Sequence, residues 1–257
     1  MIQIAITAGE IILKHYNTDF DIFNKSDQSP LTQADLESDE YICSELQRIA
    51  PGIPIISEET ESELYKIRKT WESFWLVDPL DGTKEFVKKT GEFTVNIGLI
   101  KQGIPVLGVI YVPTKKIIFY GSEESGSYKI QLNSSPDAQR LSVKTLNKNT
   151  IDIVASRDHA GPAVKKLVDI LPNANLKSMG SSLKFCLVAS GDADVYLRDM
   201  PTMEWDTAAA HAIVKYAGGE IYTMDGQVLS YNKESLKNPE ILTVAENPQF
   251  WFSLINA

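Results

Sequence analysis

Asp78 and Asp81 stand three residues apart at the end of an apolar run, in the stretch Trp-Leu-Val-Asp-Pro-Leu-Asp-Gly-Thr over residues 75–83. Pro79 cannot continue a central strand, and Gly82 permits a tight turn. A strand that ends here holds two carboxylates and the Leu80 carbonyl in one small volume. Hard divalent cations such as Mg2+ take oxygen ligands of this kind. Thr83 adds a hydroxyl at the start of a helical pattern, where backbone N–H groups favour an anion. Cation ligands and a phosphate cradle therefore lie within one stretch of six residues, 78–83. Alone, such a turn is equally well explained by aspartates that only cap backbone groups.

Three further acids follow the same grammar. Asp35 lies in Thr32-Gln33-Ala34-Asp35, at a loop-to-helix junction. Glu58 follows directly on the short strand pattern of residues 52–57, and Asp206 precedes an alanine-rich helical pattern. Acids at strand ends and helix starts are placed by backbone, as a metal site requires. Two cations held there can bind a phosphoryl oxygen, lower the pKa of a bound water and stabilise a leaving oxygen. No His/Cys cluster accompanies these acids, which disfavours zinc. Singly, Asp206 also reads as an N-cap, and Glu58 as one more solvated charge in the run Glu58, Glu59, Glu61, Glu63.

The elements that must position these acids change character along the chain. Residues 1–17 and 33–50 show helical spacing, with a polar loop over 25–32 between them. A strand at 52–57, the strand ending at Asp78, and a meander over 93–121 suit an antiparallel sheet. Residues 121–150 are polar and Ser/Asn-rich, and a domain boundary is expected there. Strand patterns at 151–156, 173–179 and 193–198 then alternate with helical patterns at 161–171, 181–190 and 206–217, the last closed by Gly218-Gly219. The expectation is an α+β metal-binding domain over 1–140 and an α/β substrate-specificity domain over 141–257.

With 257 residues the chain can bury a substantial core. Its formal net charge of −9 argues against nucleic-acid polymers and anionic membranes as partners, though not against small anions met through bound cations. Cys43 and Cys186 read as buried free thiols in a reducing compartment. No signal peptide is seen, and no apolar run approaches the roughly 20 residues that span a bilayer. A cytoplasmic protein is expected, with peripheral attachment to the inner face of the cell membrane as a further expectation. Trp71, Trp75, Trp205 and Trp251 read as packing residues, and His15 and His211 as structural.

The chain resembles the lithium-sensitive, Mg2+-dependent phosphomonoesterase superfamily that includes the inositol monophosphatases. Residues 75–83 match its W-x-x-D-P-x-D-G-T box, residues 205–219 its W-D-x-A-A…A-G-G box, and Ser57-Glu58-Glu59 its glutamate element. The resemblance implies a layered αβαβα sugar-phosphatase fold, with an antiparallel front sheet and a smaller back sheet. It implies that Glu58, Asp78, the Leu80 carbonyl, Asp81 and Asp206 ligate two or three Mg2+ ions. It also implies inhibition by Li+. Thr83, paired with Asp35, and Glu58 would orient and activate the attacking water, and the Gly82–Thr83 backbone would hold the scissile phosphate.

Other strings are similar to the CysQ branch, the 3'(2'),5'-bisphosphate nucleotidases. They are Lys84-Glu85-Phe86 after Thr83, Gly91-Glu92-Phe93-Thr94-Val95-Asn96-Ile97, Gly180-Ser181-Ser182-Leu183-Lys184-Phe185-Cys186, Ser156-Arg157-Asp158-His159 and Ala193-Asp194-Val195-Tyr196-Leu197-Arg198. Asp199-Met200-Pro201 departs from the Gly-Pro-Thr type of turn expected there. The branch implies hydrolysis of adenosine 3',5'-bisphosphate (PAP) to AMP, and of its sulfated relative (PAPS), in sulfur assimilation, by a monomer or homodimer. Ser181 and Ser182 open a helical pattern, where N–H groups and hydroxyls suit a second phosphate. Lys184 and Arg198 offer positive charge to it, and His159 offers a ring to stack on or hydrogen-bond to the base; Lys184 also reads as a solvated helix residue, and His159 as a lone loop histidine. An inositol monophosphatase or broad sugar phosphatase is the rival within the superfamily. A non-catalytic nucleotide- or metal-binding regulator is the rival of another class.

Overall fold

The computed structural model describes residues 1–18, 22–24, 30–60, 63–155 and 161–255. The chain opens with α1 (Ile2–Tyr16), the short antiparallel pair β1 (Ile22–Asn24) and β2 (Pro30–Thr32), and α2 (Gln33–Ile49). β3 (Ile55–Ser57), α3 (Tyr65–Arg68), β4 (Ser73–Asp81) and α4 (Thr83–Val87) follow. The meander comprises β5 (Thr94–Lys101), β6 (Ile104–Val112), β7 (Ile117–Ser122), β8 (Gly126–Gln131) and β9 (Ser135–Arg140). These strands form one seven-stranded sheet in the order β3-β4-β5-β6-β7-β8-β9, with only β3 and β4 parallel.

The second half runs β10 (Asp152–Ala155), α5 (Pro162–Ile170), β11 (Asn175–Ser178), α6 (Leu183–Ala189), β12 (Val195–Arg198) and β13 (Thr202–Met203). It continues through α7 (Glu204–Tyr216), β14 (Glu220–Thr223), β15 (Lys237–Asn238), β16 (Ile241–Val244) and α8 (Pro248–Ile255). Its five-stranded sheet has the order β11-β10-β12-β16-β14 and is mixed: β10 is parallel to both neighbours, while β16 is antiparallel to β12 and β14.

Period-two alternation explains the layering. In β4, Trp75 and Val77 face α1 and α2, while Phe74 and Leu76 face α6, α7 and the smaller sheet. Both faces are covered, so the strand reads as a continuous apolar run. The far face of the smaller sheet packs Val195, Leu197 and Leu242 against α5 and α8 through Leu167 and Trp251. The result is the layered αβαβα arrangement.

Three glycines let α7 approach the large sheet closely. Gly98 pairs with Gly108, and Gly108 with Gly121, so they form a row across β5, β6 and β7. A Cβ on Gly108 would sit 2.1 Å from the Ala209 carbonyl oxygen, and one on Gly98 would be 2.9 Å from Ala208 Cβ. A Cβ on Gly121 would lie 3.1 Å from Ile213 Cα. The alanines of α7 complete this near-backbone contact.

One feature differs from the sequence expectation. β4 does not stop at Asp78 but runs to Asp81, with a register shift between Asp78 and Asp81. Pro79 is tolerated because the irregularity removes its need for a ladder hydrogen bond. Within the polar stretch 121–150, β8 and β9 complete the large sheet at its edge, where one face meets solvent and polar residues suffice.

Candidate metal centre and substrate cleft

Each acid is placed by its local backbone. Asp78 is buried, and its Oδ1 accepts the Leu80 N–H at 3.1 Å, which shapes the irregular end of β4. Glu58 follows β3, its N–H bonded to the Val77 carbonyl at 3.1 Å, so it enters beside Asp78. Asp206 is the third residue of α7, and its Oδ2 accepts the Met203 N–H at 2.8 Å. Glu58, Asp78 and Asp206 bring ligand oxygens within 4.8 Å of one another. Asp35 repeats the device on α2: Oδ2 accepts the Thr32 N–H at 2.7 Å and its hydroxyl at 2.6 Å, while Oδ1 accepts the Thr83 hydroxyl at 3.3 Å. The Thr83 hydroxyl is also 3.3 Å from the Leu80 carbonyl oxygen.

Electrostatics show what the cluster is suited to hold. Burial, then the charges of Glu58, Asp81, Asp206 and Asp35, push the Asp78 carboxyl well above the usual range. Burial, then Asp81 and Glu58, do the same to Asp206. Crowded, desolvated carboxylates of this kind are relieved by cations. The donor set is all oxygen. Among the described residues, His15 pairs with Glu37 at 2.9 Å, and His211 lies in a buried network with Glu220 and Tyr231. Both cysteines are free thiols, and burial raises both, Cys43 to about 12. A hard cation fits this site better than zinc.

Asp81 is held from across the molecule. Its Oδ2 accepts the Ser182 N–H at 2.5 Å, the Asn96 amide at 3.2 Å and the Thr94 hydroxyl at 3.4 Å. Thr94 and Asn96 are not among the site residues that the sequence predicts. Their signal is present in the sequence, because two polar side chains at period two inside an apolar buried strand require partners. The structure also redirects Ser182. Its hydroxyl bonds Asn96 Oδ1 at 2.9 Å and the Thr94 hydroxyl at 2.8 Å, so both of its polar groups serve Asp81 and β5 rather than open cleft.

A second hollow adjoins the acidic one through Asp81, Gly82 and Asp206, and is lined by Ser181, Lys184 and Arg198. Gly82 has φ 94°, and a Cβ there would press on Glu85 Oε2 at 3.2 Å and Ser181 Cβ at 3.3 Å. Ser181 itself has φ 47°, and its hydroxyl is buried without a hydrogen-bond partner. Lys184 is buried, donating to the Ser181 carbonyl at 2.7 Å. Burial pushes its ammonium down to about 8, against the pull of Asp81. Arg198 donates from Nε to the Met200 carbonyl at 3.2 Å. His159 lies outside the described residues. Asp199, in the departing turn, accepts N–H groups of Gly161 at 3.2 Å and Ala163 at 2.9 Å, capping α5.

Fold and site together define a layered αβαβα protein with a buried carboxylate cluster at the junction of its two sheets. The chain belongs to the inositol monophosphatase family, which it matches over residues 1–255. Among curated proteins it is 43% identical over 235 residues to the 3'(2'),5'-bisphosphate nucleotidase CysQ of Buchnera aphidicola, covering 91% of this chain and 86% of that protein. It is 41% identical over 240 residues to the CysQ nucleotidase of Salmonella typhimurium, covering 92% and 95%. The crystal structure of CysQ from Bacteroides thetaiotaomicron superposes with a TM-score of 0.84 at 42% identity, covering 96% of each chain.

Proposed function

We propose that this protein is a Mg2+-dependent phosphomonoesterase that converts adenosine 3',5'-bisphosphate to AMP and phosphate, with the sulfated nucleotide as a second substrate, in sulfur assimilation. One observation carries the reading: a hollow built around a carboxylate cluster adjoins a second hollow to which Lys184 and Arg198 bring positive charge, with Lys84, Asp81 and Asp206 lining both. A substrate with two phosphates fits such a pair, one phosphate for each hollow. The similarity to CysQ nucleotidases supports the same choice. The reading includes two or three Mg2+ ions and inhibition by Li+. Metal binding falls mainly to residues 1–140 and substrate recognition to 141–257, with Asp206 reaching across. A cytoplasmic setting is included, supported by the two free cysteines; no described helix is long and apolar enough to cross a membrane. Peripheral membrane attachment has no support among the described residues.

Glu58, Asp78, the Leu80 carbonyl, Asp81 and Asp206 would hold the cations. Bound Mg2+ supplies charge stabilisation for the phosphoryl and leaving oxygens and acidifies a nearby water. The Thr83 hydroxyl donates its hydrogen bond to Asp35, so its oxygen is left to accept from the water and aim it. Glu58 completes the orientation of that water. The Gly82–Thr83 backbone cradles the scissile phosphate. The Ser181 hydroxyl, Lys184 and Arg198 receive the second phosphate, while Ser182 fixes Asp81.

Phosphate release from the bisphosphate nucleotide, inositol 1-phosphate and fructose 1,6-bisphosphate, with Mg2+ and with excess chelator, tests the reading. The bisphosphate nucleotide should be preferred, and chelation should abolish turnover. Preference for inositol 1-phosphate would reassign the substrate. Arg198→Ala should cost on the order of tenfold to a hundredfold in kcat/KM for the bisphosphate nucleotide, the worth of a charge-assisted contact of roughly 1.5–3 kcal/mol. 3'-AMP, which lacks the 5'-phosphate, should be much less affected. Equal losses on both would place Arg198 in the fold or the base pocket instead.

Lys184 adds a pH signature. Its buried ammonium is charged below about 8 and neutral above it. KM for the bisphosphate nucleotide should therefore rise as pH climbs through that value, and Lys184→Arg, which stays charged, should flatten the rise. A flat wild-type profile would show that Lys184 does not meet the second phosphate.

A further inference from the structure

The first turns of α2 present three side chains at helix spacings of three and four, hence on one face. Asp35 takes the Thr83 hydroxyl at 3.3 Å. Ser38 is fully buried and donates its hydroxyl to the Pro79 carbonyl at 3.0 Å, inside the irregular segment between Asp78 and Asp81. Asp39 is buried, and its Oδ1 accepts the Ser57 hydroxyl in a very short hydrogen bond, while its Oδ2 accepts the Thr60 hydroxyl at 3.1 Å. Ser57 and Thr60 flank Glu58 and Glu59. One helical face therefore grips all three segments that carry the site in the first half of the chain.

We propose that Ser38 and Asp39 are positioning residues for cation binding, with α2 acting as a jig that sets Glu58 against the Asp78–Asp81 turn. This rests on the metal-site reading above. The physical need is clear. The carboxylates repel one another before a cation arrives, and the Glu58 segment is joined to β4 by the short parallel strand β3 and the bond from the Glu58 N–H to the Val77 carbonyl. These backbone bonds hold the segment from its β3 side, and a second anchor is needed where the chain leaves Glu58 towards Thr60. Asp39 supplies it with two hydroxyl bonds on either side of Glu58, each to a charged acceptor and so stronger than a neutral pair. Ser38 pins the Pro79 carbonyl inside the β4 irregularity and so restrains the Asp78-to-Asp81 spacing. Neither side chain needs to touch a cation for this.

The test is Mg2+ binding by calorimetry without substrate, on wild type, Asp39→Ala, Asp39→Asn, Ser38→Ala and Thr60→Val, with melting temperature recorded at saturating Mg2+. Outer partners of metal ligands alter affinity by about ten- to a hundredfold. Asp39→Ala and Ser38→Ala should each weaken Mg2+ binding by about tenfold or more. Thr60→Val should weaken it less, and Asp39→Asn should retain part of the affinity because its amide oxygen still accepts one hydroxyl. The Mg2+ needed for half-maximal turnover should rise in parallel, while kcat at saturating Mg2+ falls far less. Mg2+ affinity within twofold of wild type in the folded variants, with only the melting temperature lowered, would make these residues structural and overturn the proposal. If Asp39→Ala does not fold, Asp39→Asn and Thr60→Val decide by the same criterion. Absence of Mg2+ binding in wild type would instead sink the metal-site reading itself.

Discussion

Replacing Asp81 by asparagine is expected to lower turnover by at least about a hundredfold, since loss of metal-borne charge stabilisation is worth several kcal/mol. The geometry makes this isosteric change more damaging than its size suggests. Oδ2 of Asp81 already receives three donors, from Ser182, Asn96 and Thr94. An asparagine must turn its carbonyl oxygen towards those donors, because an amide NH2 there would face three donors. The NH2 is then left pointing where a cation should bind. The fold should survive, since the cross-molecule hydrogen bonds persist. Removal of one charge from a crowded acidic cluster should leave the metal-free variant as stable as wild type or slightly more so. Steady-state turnover at high Mg2+ and metal-free melting curves check both halves. Near-native turnover would reduce Asp81 to a turn residue.

Thr83 and Asp35 are expected to behave as one unit. A threonine hydroxyl is a poor base, and its single proton has two acceptors here, Asp35 Oδ1 and the Leu80 carbonyl, each at 3.3 Å. The carboxylate is the stronger acceptor, and its other oxygen is already fixed by two bonds from Thr32. Thr83→Ala should cost on the order of a hundredfold in kcat or more, a loss in the range of general-base contributions. Asp35→Asn should cost a similar amount, and the double variant should be little worse than either single one, because residues that act through one another are not additive. Measured log losses that sum in the double variant, with Mg2+ affinity intact in both single variants, would separate the two roles.

Much of this site is legible in the sequence because its proposed ligands are fixed by local backbone. Asp78 and Asp81 flank a proline that a regular strand cannot hold, and Asp35 and Asp206 occupy the third position of helices whose cap N–H groups they accept. Such features depend on a few neighbouring residues. The Ser182 N–H is different. Its bond to Asp81 crosses 101 positions of chain, and nothing local to residues 180–186 announces that it is spent on a carboxylate so far away. Ser38 and Asp39 were unreadable for a related reason. A polar residue near a helix start looks solvated until the sheet that buries it is known. The expected end of β4 at Asp78 failed because proline excludes a regular ladder, not an irregular one.

The row formed by Gly98, Gly108 and Gly121 bears on how the site keeps its dimensions. A helix usually rests on a sheet through interleaved branched side chains, and that layer yields when rotamers exchange on heating or when pressure closes small voids. Along this row there is no such cushion: atoms of α7 meet the glycine backbone directly. Asp206 rides on this helix, and Asp78 and Asp81 ride on the adjacent strand. The gap between them is set by a hard stop with no rotamers to soften it. Within this protein the calibration of the acidic hollow is stored in side chains that three residues do not have.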